Sequence, residues 1–151
     1  MSNTSAKEIK IALVTNHDHR FMDAADIRRK VFIEEQKVPA DMEWDPHDGV
    51  SAHLILYCLG KPAGTLRFYP DLNRQHIGRV AVLPQYRGRG FGKQLLERCL
   101  TEGRRLGFAH AILSAQSERI GFYSAFGFHA VGEEFLEAGI LHRQMELNLG
   151  S

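Results

Sequence analysis

The sequence has little of what marks disulfide-stabilised, zinc-binding or membrane-spanning proteins. Its 151 residues include two cysteines, Cys58 and Cys99, which are too few and too far apart for a disulfide framework or a zinc site. We expect both to be buried, reduced thiols, and we expect no bound metal. No apolar run approaches the ~20 residues that cross a bilayer, and residues 1–10 lack the apolar centre of a signal peptide. These absences predict a cytoplasmic protein with no membrane partner.

An excess of charge of one sign is also lacking, since the chain carries a formal net charge of +1. Such a balance gives no overall attraction to nucleic acid or to anionic lipid. The basic residues concentrate at one loop without interleaved aromatic residues, so no nucleic-acid partner is expected. The length and the hydrophobic fraction of 44% predict a single globular domain over residues 1–151, with loose ends at 1–7 and 149–151.

Hydrophobic periodicity predicts elements in the order β-α-β-β-β-α-β-α-β-β. The predicted strands cover residues 8–14, 51–59, 63–69, 76–83, 109–115, 128–132 and 139–147. The predicted helices cover residues 18–36, the stretch from a glycine-rich loop to residue 106, and residues 117–126. Residues 37–50 are predicted to form an irregular loop that is rich in proline and aspartate. This order indicates an α/β (α+β) sandwich with a mostly antiparallel sheet and one β-α-β crossover.

The segment 85-QYRGRGFGK-93 joins a predicted strand to an amphipathic helix. Its glycines allow backbone N–H groups to converge, and the new helix adds unpaired N–H donors and the positive end of its dipole. Arg87, Arg89 and Lys93 add formal charge, which favours a phosphate-binding loop over the alternative of a plain tight turn. The segment is not a Walker loop, because Gln94 follows Lys93, and it comes too late in the chain for the dinucleotide fingerprint.

The longer string 80-VAVLPQYRGRG-90 resembles the coenzyme A loop of the GNAT N-acetyltransferase superfamily, whose pattern is Q/R-x-x-G-x-G/A. A second motif of that superfamily is similar to 112-ILSAQSERIGFYSAFGF-128, in which Gln116 stands where asparagine is common. The similarity extends from residue 8 to residue 147. It implies the GNAT-type fold, a mixed and mostly antiparallel central sheet with helices on both faces and central strands that splay apart.

Further segments resemble the ElaA-like branch of the superfamily. They are 29-RKVFIEEQ-36, Glu43-x-Asp45-x-x-Asp48, His53, Arg67 and 139-GILHRQM-145. Residues 28–48 are also similar to the early part of acyl-homoserine-lactone synthases, which share the fold but generally lack the Q-x-x-G-x-G loop. The presence of that loop favours coenzyme A over an acyl carrier protein as the donor.

The resemblance implies acetyl-CoA as the co-substrate. In the family the pyrophosphate lies on loop N–H groups, here 87–92, and the pantetheine arm pairs with the strand before the loop. The residues that we therefore expect to bind coenzyme A are Val80, Ala81, Val82, Arg87, Gly88, Arg89, Gly90, Phe91, Gly92, Lys93 and Gln116.

Acetyl transfer to an amine needs a neutral amine, donors for the oxyanion and a proton for the departing thiolate. Tyr123 matches the family tyrosine that supplies this proton, and the acidity of a phenol is close to that of a thiol. Its alternative role is that of a core residue beside Phe122. A backbone N–H near Val82 is the expected oxyanion donor.

The sequence does not single out the base that deprotonates the amine. The candidates, acting directly or through water, are Glu34, Glu35, Asp45, Asp48, His53 and His142. We predict that Glu34 and His142 are catalytic. We predict that the acceptor is bound by Glu35, Trp44, Asp45, Asp48, His53 and Arg67. A structural role is the alternative for His142, for Trp44 as an anchor of its loop, and for Arg67 as the partner of a carboxylate.

Residues 34–48 hold six carboxylates against one lysine, a formal charge of −5 when His47 is counted as neutral. We expect this charge to attract a protonated amine towards the acceptor entrance. The alternative is that the carboxylates pair with Arg28, Arg29 and Arg67.

Together these features predict an acetyl-CoA-dependent N-acetyltransferase that acts on a primary amine of a small molecule. Two alternatives stay open. One is an acyltransferase that uses a longer acyl chain or an acyl carrier protein, and the other is a non-catalytic sensor that binds acyl-CoA. The acceptor, the acyl length and the oligomeric state, a homodimer included, are not determined by the sequence.

Overall fold

A computed structural model describes residues 8–150, and its elements follow the predicted order. The strands are β1 (Ile9–Val14), β2 (Ala52–Cys58), β3 (Lys61–Asp71), β4 (Arg74–Val82), β5 (His110–Gln116), β6 (His129–Glu137) and β7 (Ile140–Asn148). They form one sheet with the spatial order β1-β2-β3-β4-β5-β7-β6. All neighbouring strands are antiparallel except β4 and β5, which are parallel. The predicted mixed sheet with one β-α-β crossover is confirmed.

The helices also lie where periodicity predicts them. Helix α1 (Phe21–Arg28) continues directly into a π-helical segment, Arg29–Glu35, so the first predicted helix is correct in extent but has a wider final part. The others are α2 (Ala40–Glu43), α3 (Phe91–Arg105) and α4 (Ile120–Ser124), with 3₁₀ turns at Pro46–Val50, Pro84–Tyr86 and Ser117–Arg119. The predicted irregular loop at 37–50 therefore contains one short helix and one 3₁₀ turn.

The apolar spacing of α3 determines how it packs. Phe91, Leu95, Leu96 and Cys99 recur at helical intervals, and all four are buried against the sheet. The chain leaves the helix at Gly107, whose φ of 85° is the left-handed conformation that terminates helices. The predicted end of this helix is confirmed.

Two apolar cores lie on opposite faces of the sheet. On one face α3 and α4 pack against residues such as Leu113, and on the other face Ile27 of α1 packs with Ile55 of β2. The predicted arrangement of helices on both faces is confirmed. Cys58 and Cys99 are buried free thiols of the first core, as predicted.

The parallel strands β4 and β5 separate along their length. Their pairing begins with Arg74 opposite His110 and ends with Ile77 opposite Leu113. Beyond that point β4 stays paired with β3, and β5 stays paired with β7. A bulge in β4 at Arg79, whose φ is 54°, lies where the separation begins. The predicted splaying of the central strands is confirmed, and it opens a cleft in the middle of the sheet.

The ends of the chain differ from the expectation at one residue. Leu149, predicted to be loose, is buried, and its N–H donates to the carbonyl oxygen of Ala109 at 2.9 Å. Residues 1–7 and Ser151, for which we also predict loose structure, lie outside the described residues. Within residues 8–150, no helix is both long enough and apolar enough to cross a membrane.

Candidate active site

The glycine loop lies at the open end of the cleft, between the end of β4 and the start of α3. Gly88 and Gly90 have φ values of 82° and 78°, a region that only glycine adopts without strain. A Cβ atom on either residue would have no atom within 4 Å, so both face open space. The first turn of α3 adds unpaired backbone N–H groups. This loop is therefore suited to hold an anionic group such as a phosphate.

The other loop residues that we expect to bind coenzyme A fall into two groups, those with an exposed charged side chain and those that can offer only backbone groups. Arg89 and Lys93 are exposed, and the Arg89 guanidinium lies 5.7 Å from the centre of the Tyr86 ring. The side chain of Phe91 is buried in the core, and a Cβ atom on Gly92 would lie 3.6 Å from Phe122. Phe91 and Gly92 can thus offer a ligand only backbone groups.

Arg87 is held by an acidic partner instead of pointing freely at the loop. It donates to both carboxylate oxygens of Glu35, at 2.7 and 2.8 Å, and its Nε atom donates to the carbonyl oxygen of Val82 at 2.9 Å. The structure therefore places Glu35, which we expect to bind the acceptor, beside the glycine loop. Arg87 also occupies the carbonyl oxygen of Val82, one of the backbone groups that the resemblance assigns to pantetheine.

Tyr123 lies on α4 and is 8% exposed. Its ring packs edge-on against Phe122 and Phe128, with centroid distances of 5.1 and 6.0 Å. Burial raises the pKa of its phenol to about 12, so the hydroxyl keeps its proton at neutral pH. These surroundings fit the role of proton donor as well as that of core residue.

His142 and Gln116 face each other on β7 and β5 at the open end of the cleft. The Gln116 side chain donates to Oε1 of Gln36 at 2.8 Å, which connects β5 to the end of the π-helical segment. His142 is 7% exposed, and its Nδ1 atom lies 2.7 Å from the carbonyl oxygen of Ile140. A carbonyl can only accept, so Nδ1 is the donor, and Nε2 lies 3.8 Å from a carboxylate oxygen of Glu137.

Arg67 organises the acidic segment of residues 34–48. Its side chain is 5% exposed and donates to both oxygens of Asp45, at 2.7 and 2.8 Å, and to Asp48 at 2.8 Å. Although burial opposes ionisation, hydrogen bonds from Arg67 lower the pKa of Asp45 to about 2. Burial also opposes the ionisation of Asp48, but Arg28 and Arg67 hold its pKa below the usual value. Both carboxylates are therefore charged and paired at neutral pH.

A second buried arginine, Arg28, ties the same segment to helix α1. It is 1% exposed, and it donates to Glu43 at 2.8 Å and to Asp48 at 2.7 Å. The Trp44 ring lies against its guanidinium, 4.9 Å from the ring centre. Trp44 is 38% exposed, so it covers the arginine on one side and offers a surface to solvent on the other.

His53 lies beneath this cluster and is 1% exposed, so it offers no surface to an acceptor. Its Nε2 atom is 3.1 Å from the carbonyl oxygen of Asp48, and its ring packs against Phe21. Burial lowers the pKa of His53 and favours the neutral ring. Within residues 8–150, no group of three or more histidine, cysteine or acidic side chains is placed to hold a metal ion.

Arginines pair with most of the charge of the acidic segment. Glu34 pairs with Arg29 at the surface, and Glu35 with Arg87. Together with Glu43, Asp45 and Asp48, these make five of the six carboxylates, and Asp41 has no ion pair among the described residues. The structure thus favours paired charges, and it does not support the expectation that the formal charge of −5 attracts the acceptor.

Nothing in the sequence pattern indicates the role of Arg79. This residue sits in the bulge of β4 and donates to the carbonyl oxygens of Met42 and Glu43, at 3.2 and 3.1 Å, and to Asp45 at 2.9 Å. It thereby fastens the acidic segment to the strand that lines the cleft. Hydrophobic alternation marks strands but not bulges, so the pattern around Gly78-Arg79-Val80 could not reveal it.

Comparison with known proteins assigns the family. The profile described as "Acetyltransferase (GNAT) domain" matches residues 12–149. The chain belongs to the GNAT acetyltransferase family. The uncharacterized N-acetyltransferase YjcF of Bacillus subtilis is 35% identical to this GNAT protein over 138 residues, which are 89% of the chain and 96% of YjcF. Protein ElaA of Escherichia coli is 34% identical over 121 residues, 77% of the chain and 79% of ElaA.

Solved structures agree with this assignment. The crystal structure of Escherichia coli ElaA matches this GNAT protein with a TM-score of 0.82 and 26% identity, covering 91% of the chain and 98% of ElaA. An acyl-CoA N-acyltransferase from Pseudomonas aeruginosa matches with a TM-score of 0.83 and 32% identity, covering 91% of the chain and 98% of that protein. The predicted place in the ElaA-like branch of the superfamily is confirmed.

Proposed function

We propose that this GNAT protein moves the acetyl group of acetyl-CoA to a primary amine of a small molecule, by direct attack in a ternary complex in the cytoplasm. The observation that carries the proposal is the separation of β4 and β5 beyond Ile77 and Leu113, directly beside the glycine loop. A thioester arm that lies along the exposed edge of β4 would reach the middle of the sheet from the loop. An amine could then approach it from the far side of the cleft.

The donor would be held mainly by backbone groups. Gly88 and Gly90 leave open space for the pyrophosphate, and Arg89 and Lys93 are exposed near it. Because the pyrophosphate is anionic, the N-terminal end of α3 would add favourable electrostatic energy. Gln116 would act through its contact with Gln36, which joins the two sides of the open end.

The reaction forms a C–N bond to the acetyl carbon and breaks the C–S bond of the thioester. The attacking amine must lose one proton, and the departing thiolate must gain one. Tyr123, which keeps its proton at neutral pH, would supply the thiolate proton. A backbone N–H of the bulged part of β4 near Val82 would stabilise the oxyanion.

Among the candidate bases, His142 is favoured by its environment. Its Nδ1 atom is held by the carbonyl oxygen of Ile140, which leaves Nε2 as the nitrogen that could take a proton, and its ring stands at the open end of the cleft opposite Gln116. Glu34, the other residue that we predict to be catalytic, is paired with Arg29 on the exposed surface.

The test is a thiol-release assay of the purified protein with acetyl-CoA and a panel of primary amines, followed by mass measurement of the product. We expect one thiol released and an acetyl mass added to the amine. Parallel reactions use longer acyl-CoA thioesters and an acyl group carried on acyl carrier protein. A preference for either would replace acetyl-CoA as the donor, and tight binding of acetyl-CoA without turnover for any amine would indicate a sensor.

A further inference from the structure

The cleft has an unusually open floor on the face of the sheet that carries α1. Ser114 of β5 lies one residue beyond the last pair between β4 and β5, and it is exposed, with β7 as its neighbouring strand on one side and the cleft on the other. Gly78 lies at the point where β4 leaves β5, and a Cβ atom on it would have no atom within 4 Å. The exposed serine and the missing side chain at position 78 leave this part of the cleft floor open, with room for a ligand.

Neither backbone strain nor crowding explains the glycine at position 78. Its φ is not left-handed, so another residue could adopt the same conformation. Gly64 of β3 is the contrasting case, because a Cβ atom there would lie 3.0 Å from Leu95 and 3.1 Å from the carbonyl oxygen of Ala81. A glycine within a strand weakens the strand. The structure of the protein alone therefore does not require a glycine at position 78. The absence of a side chain there makes the cleft wider.

One carboxylate lies on the same floor. Side chains alternate between the two faces of a strand, and Leu113 and Met145 point into the core under α3. Ser114 and Glu146, on adjacent strands, must then point to the open face. Cross-strand pairing puts Gln144 beside Ser114. Glu146 is two residues further along β7, opposite Ile112, where β4 and β5 are still paired.

Glu146 is the carboxylate of this face that no cation holds. It is half-buried, and it accepts one hydrogen bond, from Gln144 at 3.4 Å. No lysine, arginine or histidine among residues 8–150 forms an ion pair with it. Glu146 differs in this respect from Glu43, Asp45 and Asp48, each of which forms an ion pair with an arginine.

We propose that the acceptor is a slender diamine, which lies over Gly78 and Ser114 with its reacting nitrogen at the separation of β4 and β5 and its second, protonated nitrogen at Glu146. This inference rests on the proposed acetyl transfer. Glu146 lies opposite Ile112, which is two residues from Ser114 along β5, and it is one strand further over, so the two positions are roughly 8–10 Å apart. The unbranched carbon chain of such a diamine could lie in the space that the missing side chain of Gly78 leaves. The half-buried carboxylate of Glu146 would form a charge-assisted hydrogen bond with the protonated second nitrogen.

The first experiment compares diaminopentane with pentylamine as acceptors for the parent protein and for Glu146→Gln. We expect KM for diaminopentane to rise about ten- to a hundredfold in the variant, the range for losing one charge-assisted hydrogen bond. KM for pentylamine and kcat for both amines should stay within about twofold. Glu133→Gln removes an exposed carboxylate of β6 and is the matched control for overall charge. An equal rise for both amines, or no rise for the diamine, overturns the proposal.

The second experiment narrows the floor with Gly78→Ala and Gly78→Val. Both variants should fold, because a Cβ atom at position 78 would meet nothing within 4 Å and φ is not left-handed. We expect kcat/KM for diaminopentane to fall from the parent to alanine to valine, while KM for acetyl-CoA stays constant. If the valine variant uses the diamine as well as the parent does, the acceptor does not lie over Gly78.

Failure of the acetyl transfer itself can be told apart from failure of this inference. If the parent protein acetylates no amine, the proposed function is wrong. Calorimetric titration with diaminopentane in the presence of coenzyme A then still measures whether the diamine binds. Binding that Glu146→Gln abolishes would support a diamine site without turnover. Absence of binding by the parent protein would overturn the site as well.

Discussion

Arg87 and Glu35 form a two-pronged ion pair that joins the end of the π-helical segment to the glycine loop, with N···O distances of 2.7 and 2.8 Å. The hydrogen bonds from Arg87 lower the pKa of Glu35, so this carboxylate is charged at neutral pH. A negative charge thus stands beside the loop to which we assign the pyrophosphate. It holds in place a guanidinium that could otherwise turn towards the phosphates.

Replacing Glu35 should therefore strengthen donor binding. We expect Glu35→Gln to lower the Kd of coenzyme A by about two- to fivefold, because a half-exposed ion pair of this kind contributes only about 1 kcal/mol. Arg87→Gln should raise the Kd, and the gain from Glu35→Gln should shrink as salt is added. Calorimetry at two salt concentrations measures this. Weaker binding by Glu35→Gln would instead make the ion pair part of the donor site.

Gly90 offers a direct test of the loop assignment. We expect Gly90→Val to abolish measurable acetyl-CoA binding, because a branched side chain would fill the open space at the helix start. A β-branched residue at a φ of 78° is also strained, by about 1–2 kcal/mol. Gly60→Val is the matched control, since Gly60 has a φ of 80° and an equally open environment in the turn between β2 and β3.

The two variants should lose similar stability, and Gly60→Val should still bind acetyl-CoA. Equal donor affinity in Gly90→Val and the parent protein would show that the pyrophosphate does not lie at this loop.

Residue patterns were sufficient to predict the order of elements, but not the separation of β4 and β5. The alternation and the helical spacing of hydrophobic residues indicate which side of each element is buried. The glycine loop indicates where β4 ends and α3 begins. Resemblance to the GNAT superfamily supplied the splayed strands, which the residues themselves do not reveal. Gln116 and His142 were both named from the sequence, and the sheet register brings them face to face.

The partners of the charged residues could not be read in the same way. Arg67, Arg28 and Arg79 come from three different elements, and the carboxylates that they hold lie within residues 43–48. Only the folded chain decides which charges meet. Counting charges along 34–48 therefore overstated the unpaired charge of that segment, and it gave no reason to consider Glu146, to which we assign the second nitrogen of the acceptor.

Tyr123→Phe should separate the two roles of that tyrosine. We expect the fold and the acetyl-CoA affinity to be kept, because no hydrogen bond to the hydroxyl from residues 8–150 is lost. Turnover should fall by about 10²–10⁴-fold if the phenol protonates the thiolate. Tyr57→Phe, which removes a hydroxyl that donates to Asp23 at 2.6 Å near α1, is the control and should leave turnover unchanged. Parent-like turnover of Tyr123→Phe, with chemistry shown to be rate-limiting, would leave Tyr123 a packing residue.

Acid should weaken the protein through Asp45. Its folded-state pKa is lowered to about 2, below the ordinary value of about 4, so its stabilising effect is complete above pH 4 and is lost as pH falls towards 2. We expect Asp45→Asn to reduce the difference between the unfolding free energies at pH 5 and pH 3, measured in urea. Asp41→Asn, at an exposed position of the same segment, should leave that difference as it is in the parent. An unchanged difference in Asp45→Asn would mean that other carboxylates control the acid transition.

Arg79 should matter for both stability and donor use, because it links the bulge of β4 to the acidic segment. Its Nη2 group donates to the carbonyl oxygens of Met42 and Glu43 and to Asp45, and the shorter side chain of a lysine would not reach all three acceptors from the same backbone position. We expect Arg79→Lys to lower the free energy of unfolding by about 1–3 kcal/mol.

The bulge positions the backbone of Val80 to Val82, so Arg79→Lys should also raise KM for acetyl-CoA more than it changes kcat. Arg74→Lys is the matched control, since Arg74 lies on the same strand and forms a partly exposed ion pair with Asp71. That change should alter stability by less than about 1 kcal/mol and leave KM for acetyl-CoA unchanged. If Arg79→Lys lost stability but kept its KM for acetyl-CoA, the arginine would anchor the acidic segment without shaping the edge of β4.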